Sequence, residues 1–262
     1  MYNISIDIGG THIRSALLKK NGNLVNLIKK KSTFNIVDDI IEHLIIQTNS
    51  NSLINIKSIG ISIGGCIDRK SGSILNVSKK YTKWNKIDLI NQLKKKKLNV
   101  DKLKSLNLTV YIDNDGNCAA HAEKYYGNAI GCKNFVTLVL GTGVGIGCYI
   151  NNCIIQYSEI GSFIEDKCSG KYFDSLEGDK KNKYLEGAKY LGLKIAEIIS
   201  LLCPDKFIIS GPLLKIGDFF IEEIKLSVMN NLNGFNLNRC ELIISDLENQ
   251  GLLGANCLNN IN

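Results

Sequence analysis

The apolar positions of this chain fall into short β-branched runs divided by glycine or asparagine turns, with a few stretches of helical spacing between them. Met1 to Asp7 predicts a strand, Asp7-Ile8-Gly9-Gly10-Thr11 a turn, and His12 to Leu18 a second strand. Asn21-Gly22, the strongest short hairpin signal, leads to a third strand at Leu24 to Ile28. Asp38 is placed to cap a helix with the apolar stripe Ile40, Ile41, Leu44 and Ile45. Ile56 to Ile63 reads as a strand ending at Gly64-Gly65, and Trp84 to Leu93 as a loop that becomes a helix. Leu108 to Ile112 is a strand ending at Asp113-Asn114-Asp115, and Gly116 to Tyr126 a helix with Ala119, Ala122 and Tyr126 on one side.

The second half repeats this order. Phe135 to Leu140 enters the turn Gly141-Thr142-Gly143, Val144 to Ile150 leaves it, and Asn151-Asn152 turns the chain into Cys153-Ile154-Ile155. A helix from about Tyr184 to Leu202 follows, apolar at Leu185, Ala188, Leu191, Ile195, Ile198 and Ile199. Then come a strand at Phe207-Ile208-Ile209, the turn Ser210-Gly211-Pro212, a helix near Phe219 to Met229, a strand at Leu242-Ile243-Ile244, and a last helix from about Leu247 to Leu258. Gly251, Gly254 and Ala255 make that last helix small enough to pack closely. Each half therefore opens with three strands whose first turn is glycine-rich and carries a threonine, and duplication is the economical explanation. Closely spaced glycines let backbone N–H groups approach an anion. Two such halves facing each other would set two phosphate loops across one cleft. The spacing excludes a Rossmann turn: the sixth position from Gly141 is Ile146, and a strand follows instead of a helix.

Composition narrows the class. The chain has 262 residues, 44% hydrophobic and 22% charged, enough for one large or two modest domains with a sizeable core. No apolar run approaches the roughly 20 residues a membrane helix needs, and the first residues carry no signal core, so a cytoplasmic protein is expected. The net charge of +7 is diffuse, with runs at Lys29 to Lys31, Lys79-Lys80 and Lys94 to Lys97. These read as solvated surface, since neither aromatic interleaving nor a nucleic-acid module accompanies them. The nine cysteines contain no C-x-x-C pair and read as reduced, mostly buried thiols.

The ordered motifs resemble the ROK sugar kinases of the actin-like ATPase superfamily. Asp7-Ile8-Gly9-Gly10-Thr11 is similar to the family's first phosphate motif and Leu140 to Gly147 to its second. Ile208 to Leu213 resembles the adenosine motif, with Pro212 where a second glycine is usual. Ile112 to Asn117 with Ala119, Ala120 and Glu123 resembles the Asn-Asp catalytic segment, and Gly60 to Asp68 with Gly72, Asn76 and Trp84 the sugar-side loop. Gly251 to Ala255 resembles the closing helix.

The resemblance implies an α/β fold of two actin-like (ribonuclease H-like) domains with a central cleft. Residues 1–127 would form an N-terminal sugar-kinase domain with 247–262 packed back on it, and 128–246 a C-terminal nucleotide-binding domain. The implied activity is ATP-dependent, magnesium-assisted phosphorylation of a hexose hydroxyl, glucokinase-like. Such transfer is mostly positioning and charge neutralisation. Backbone N–H groups at Gly9, Gly10, Gly141, Thr142 and Gly143 would hold phosphate oxygens with help from the Thr11 and Thr142 hydroxyls, and Gly211 and Pro212 would lie at the adenosine. Asp7 would orient Mg²⁺ through water. Asp115 is the implied general base, against the plain reading of a helix cap. Asn114, Gly65 and Glu159 are the implied sugar-side residues.

The chain departs from the family where histidine usually follows Glu-x-Gly: Ser162 stands there. Of the usual cysteine cluster only Cys168 remains nearby, too few ligands for a closed tetrahedral site, so no structural zinc is expected. Asp174 and Glu177 compete for the place of a further sugar-side acid. The helical insertion usual after this point is largely missing. His12, His43 and His121 have no metal spacing and read as surface or satisfied core. Three alternatives stand beside glucokinase: a kinase of N-acetylmannosamine, fructose or another hexose derivative; a non-catalytic sugar or nucleotide sensor; and the family's DNA-binding repressor branch. The intact Asn114-Asp115 pair argues against the sensor, and a first motif beginning at Asp7 leaves no room for a preceding helix-turn-helix. The expected partners are a small sugar and ATP, with no nucleic acid and no membrane; a homodimer stays open.

Overall fold

The computed structural model describes residues 1–33, 35–49, 55–77, 84–104, 109–157 and 160–261. Glu159, Lys79-Lys80 and the start of the strand expected at Leu108 lie outside the described residues. The chain forms two compact units, Met1–Tyr126 with Asn249–Asn262, and Gly127–Glu248.

The first unit is built on β1 (Tyr2–Ile8), β2 (His12–Leu18), β3 (Leu24–Lys31), α1 (Ile36–Asn49), β4 (Ile56–Ile63), a small sheet of β5 (Cys66–Asp68), β6 (Ser73–Asn76) and β7 (Ile87–Asp88), then α2 (Leu89–Lys97), α3 (Asp101–Lys104), β8 (Thr109–Asn114) and α4 (Asp115–Tyr126). Its main sheet runs β3-β2-β1-β4-β8. The first three strands are antiparallel, and β1, β4 and β8 are parallel. Ile4, Ile6, Leu17, Ile40, Leu44, Ile61 and Ile63 fill the core on the α1 side.

The second unit follows the same plan: β9 (Phe135–Leu140), β10 (Val144–Ile150), β11 (Cys153–Ile154), α5 (Gly170–Asp174), α6 (Lys180–Leu202), β12 (Lys206–Ser210), α7 (Asp218–Asn231), α8 (Gly234–Arg239) and β13 (Glu241–Ile244). Its sheet order β11-β10-β9-β12-β13 matches the first sheet strand for strand, as duplication requires. Asn151 and Asn152 both take positive φ (50° and 68°), the mirror-image turn a two-residue hairpin needs. Leu138, Leu140, Leu191, Ile195, Phe207, Ile209 and Phe220 form this unit's core.

The symmetry stops at the last helix. After β8, α4 stays with its own sheet, but α9 (Gln250–Cys257), which follows β13, belongs to the first unit and packs on β1, β4 and α4. Glycine makes this possible: a Cβ on Gly254 would lie 1.8 Å from the Cys118 carbonyl oxygen, and one on Gly60 2.0 Å from that of Ala255. Asn3 Nδ2 donates to Asn256 Oδ1 at 2.8 Å and anchors the same helix polarly.

Several boundaries move from their expected places. α1 starts at Ile36, so Asp38 lies inside its first turn and is not the cap. Buried Asp39 ties the helix start to the preceding loop instead, accepting from Thr33 N (2.9 Å) and Thr33 Oγ1 (2.6 Å). α6 starts at Lys180, earlier than its apolar stripe implies, because Asp179 accepts from Lys181 N and Asn182 N (3.1 and 3.3 Å). α9 starts only at Gln250, because Asn249 takes a left-handed conformation that interrupts helical geometry. All nine cysteines are free thiols, but only Cys118, Cys148, Cys168 and Cys257 are buried, so the expected burial holds for fewer than half. Lys94, Lys95 and Lys96 face solvent on α2, where Lys96 pairs with Asp38.

Candidate functional site

Parallel strands gather chemistry at their carboxyl ends, because each strand must turn there into a loop or helix with free backbone groups. In the first unit Asp7, Ser62 and Asp113 lie side by side across β1, β4 and β8, and Ile8, Ile63 and Asn114 form the next row. Beyond that row stand Gly9, Gly64 and Asp115. In the second unit Ser210 on β12 pairs with Val139 on β9, which brings Gly141-Thr142-Gly143 and Gly211-Pro212 to one sheet edge.

Asn114 is the cap of α4. Its Oδ1 accepts from Gly116 N (2.8 Å) and Asn117 N (3.2 Å), the second and third helical amides. Its Nδ2 donates to the Gly65 carbonyl at 2.8 Å. With the oxygen occupied, only the second amide hydrogen of Asn114 can face a ligand. Asp115 is therefore the first helical residue and not the cap. It is exposed, with Oδ1 accepting from Gly116 N at 2.9 Å and Oδ2 3.6 Å from where a Gly64 Cβ would stand. Gly65 has φ +111°, and a Cβ there would meet the Asn76 carbonyl at 2.5 Å, so only glycine serves.

Both oxygens of Asp7 are held. Arg14 donates to Oδ2 through Nε (3.2 Å) and Nη2 (2.5 Å), and the Ser62 hydroxyl donates to Oδ1 at 2.9 Å. Arg14 also donates to Asn249 Oδ1 at 3.2 Å. Gly251 on α9 packs so closely that a Cβ would lie 2.3 Å from Asp7 Oδ1. Thr11 is exposed, with its hydroxyl 3.0 Å from His12 Nδ1.

The two loops differ from expectation in one respect. The Gly9 amide donates to the His12 carbonyl (2.9 Å) and the Gly141 amide to that of Gly143 (3.0 Å). These two N–H groups close their own turns, because a tight hairpin must satisfy its first donor internally. In the second loop Thr142 and Gly143 are the residues whose amides are left as candidate anion donors. Its carbonyls are clamped from the other side: Gly170 N donates to Gly141 O (2.8 Å) and Lys171 N to Thr142 O (3.0 Å). A Gly143 Cβ would stand 2.8 Å from Glu165 Oε2, so that carboxylate packs against the loop. Gly211 has φ +108° with its α-carbon against Leu140, and Pro212 starts the short 3₁₀ turn Pro212–Ile216.

Asp174, on α5, and Glu177, just beyond it, are both exposed, and the Glu177 carbonyl accepts from the Lys183 ammonium. Cys168 is buried and donates to the Ile164 carbonyl at 3.0 Å; burial pushes its thiol up to about 12, so it stays protonated. Among the described residues no three His, Cys, Asp or Glu side chains stand together as a metal cluster. His43 and His121 are buried core residues, and burial, the largest influence on each, lowers both below the usual imidazole range. Arg14, Ser62, Arg69, Asp113, Glu165 and Asn249 were not singled out from sequence. Arg14 and Asn249 are 235 positions apart, and no local pattern signals such a contact.

The fold is that of the actin-like ATPases, in the form found in sugar kinases. A family model described as ROK family matches residues 3–161, and the chain belongs to that family. Both kinases and repressors are similar to it. It is 24% identical to a glucokinase of Streptomyces coelicolor over 96% of this chain and 95% of that protein. It is 30% identical to the xylose repressor of Bacillus subtilis, over 58% of this chain and only 38% of the repressor. A crystal structure of a ROK family glucokinase from Streptomyces griseus in complex with glucose and AMPPNP superposes with a TM-score of 0.80 at 21% identity, covering 98% of this chain and 99% of that one. Among the described residues no helix is long and apolar enough to cross a membrane.

Proposed function

We propose that the protein transfers the terminal phosphoryl group of ATP to a hydroxyl of a hexose, with glucose the first candidate and N-acetylmannosamine, fructose or another hexose derivative the alternatives. One observation carries the reading: Asn114 takes over the cap of α4, which leaves Asp115 exposed at the carboxyl end of β8 as a general base. The first unit supplies the sugar side through Asp115, the remaining amide hydrogen of Asn114, and the backbone at Gly65. On the nucleotide side Thr142 and Gly143 offer amides to phosphate, Thr11 offers a hydroxyl, and Gly211-Pro212 lies at the adenosine. Glu159, Asp174 and Glu177 remain proposed sugar-side acids of the second unit.

The residues present fit a magnesium-bound nucleotide. Magnesium takes few carboxylates and keeps its waters, and Asp7, with both oxygens already engaged by Arg14 and Ser62, would meet it through water. When bound, the ion neutralises phosphate charge. Asp115 would take the hydroxyl proton, and the turn amides would fix the phosphate oxygens.

The test is ADP release over a panel of hexoses, hexosamines and acylated hexosamines, with and without Mg²⁺, comparing wild type with Asp115→Asn. A general base contributes about 10²–10⁴-fold. Loss of that order with nucleotide binding retained is expected; near-normal turnover of the variant would sink the assignment. The likeness to a xylose repressor favours one second reading, a non-catalytic sensor. A wild type that releases no ADP with any sugar, yet is thermally stabilised by one, would establish it.

A further inference from the structure

Asp113, the residue before the cap, is only 1% exposed, yet its carboxylate is ringed by donors from three elements. Oδ1 accepts from the Asn114 amide (2.8 Å) and from Asn117 Nδ2 on α4 (3.0 Å). Oδ2 accepts from His121 Nε2 on α4 (3.1 Å) and faces Arg69 Nε, just past β5, at 3.5 Å. We infer that Asp113 is a positioning residue, whose carboxylate sets where β8 ends and so where Asn114 and Asp115 stand; this rests on the role proposed for Asp115.

The contacts close a ring. Asp113 holds the Asn114 backbone from behind, and the Gly65 carbonyl holds its side chain from in front. Gly65 leads into β5, and β5 ends next to Arg69, which returns to Asp113. Among the described residues Arg69 Nη1 is buried without a hydrogen-bond partner, while Nε makes the ion pair with Asp113. The two supports of Asn114 are therefore tied to each other through one carboxylate. Burying a charge is a poor way to gain stability, since apolar groups of the same volume do as well or better. It does fix direction, because each donor has one allowed approach. His121 is neutral through burial, so its Nε2–H can donate to Oδ2 without adding charge.

The experiment compares wild type, Asp113→Ala, Asp113→Asn, and Asp113→Ala with Arg69→Met. Misplacement of a reacting group by about 1 Å costs about 100-fold. Asp113→Ala is expected to lower kcat/KM for the sugar by about that factor, with nucleotide affinity within twofold of wild type. Asp113→Asn keeps an oxygen for the Asn114 amide and should recover part of the loss. Adding Arg69→Met removes the orphaned charge, so Tm should recover while turnover does not. Full recovery of turnover in the double variant, or a loss shared equally by nucleotide binding, would overturn the inference, because either marks a purely structural role. Amide exchange at Asn114, Gly116 and Asn117 reads the geometry without turnover. Faster exchange in Asp113→Ala supports the inference even if the wild type phosphorylates nothing, whereas unchanged exchange overturns it.

Discussion

The side-chain amide of Asn114 donates to the backbone carbonyl of Gly65 across 2.8 Å, joining the start of α4 to the loop that leaves β4. The same side chain caps α4 through its oxygen. Substitution can separate these two duties. Asn114→Asp keeps a capping oxygen but loses the donor to Gly65, so the cap of α4 should survive while the tie to the Gly65 carbonyl is broken. Turnover should fall about tenfold or more, the worth of one hydrogen bond of roughly 1.4 kcal/mol. Asn114→Ala loses both and should in addition cost about 0.5–2 kcal/mol of stability. Steady-state kinetics beside thermal unfolding would show the split; equal stability of the two variants would contradict it.

Close packing of α9 makes a second forecast. Gly254→Ala would put a methyl group 1.8 Å from the Cys118 carbonyl, and backbone cannot yield as a side-chain tip can. A cost of about 1–3 kcal/mol follows, or about 2–4 °C of Tm for each kcal/mol in a chain of this size. Gly234→Ala, at a position with nothing within 4 Å, is the control and should leave Tm unchanged.

Gly211 bears on the nucleotide loop. Its φ of +108° disfavours any side chain, and a Cβ would meet Leu140 O at 2.4 Å and Leu140 N at 2.7 Å. Leu140 is the residue before Gly141, so Gly211→Ala should displace the second loop. ATP-analogue affinity measured by calorimetry is expected to fall about tenfold or more, the cost of roughly 1.4 kcal/mol of lost contact, with sugar-induced stabilisation retained. Unchanged nucleotide affinity would remove Gly211 from the site.

Acid should destabilise the first unit through its buried histidines. The Ser15 hydroxyl accepts from Gln47 Nε2 (3.0 Å) and is hydrogen-bonded with His43 Nδ1 (2.7 Å), and among the described residues His43 Nε2 is buried without a partner. Burial, then Lys30, lowers His43, against smaller opposing effects of Glu42 and Asp39. For His121 burial outweighs the raising effect of Asp113. A histidine lowered in the folded state binds its proton more readily when unfolded. Its stabilisation is therefore complete above the unfolded value of 6.5 and is lost as pH falls below it. Tm should drop between pH 7.5 and 5.5, and His43→Gln should flatten that dependence. A wild-type profile flat over this window would refute the account.

The legibility of the chain was uneven for physical reasons. The hairpin turns at Asn21-Gly22 and Asn151-Asn152 and the strands at Ile56 to Ile63 and Phe135 to Leu140 can be read directly, because a short continuous apolar run and the turn residues that bound it are local properties. Helix starts were read less well. Asp38, Leu247 and Gly116 all looked like plausible beginnings, but the helices start at Ile36, Gln250 and Asp115, where Asp39, Asn249 and Asn114 meet partners outside the helical pattern. The Asn114-Asp115 pair was visible as a candidate, while the division of labour within it was not. Which of two adjacent polar residues caps a helix depends on the direction in which β8 delivers the chain.

Sequence alone determined the succession of the main strands along each half, the two glycine-threonine turns and the ROK resemblance, since all of these rest on residues close together along the chain. Tertiary structure decided that Asn114 caps and Asp115 does not, that the Gly9 and Gly141 amides face inward, that Arg14 and Ser62 hold Asp7, and that a helix following the second sheet packs on the first. Each of those outcomes depends on distances between groups that are remote in sequence, and such distances exist only once the β1-β4-β8 register and the close approach of α9 have brought the groups together.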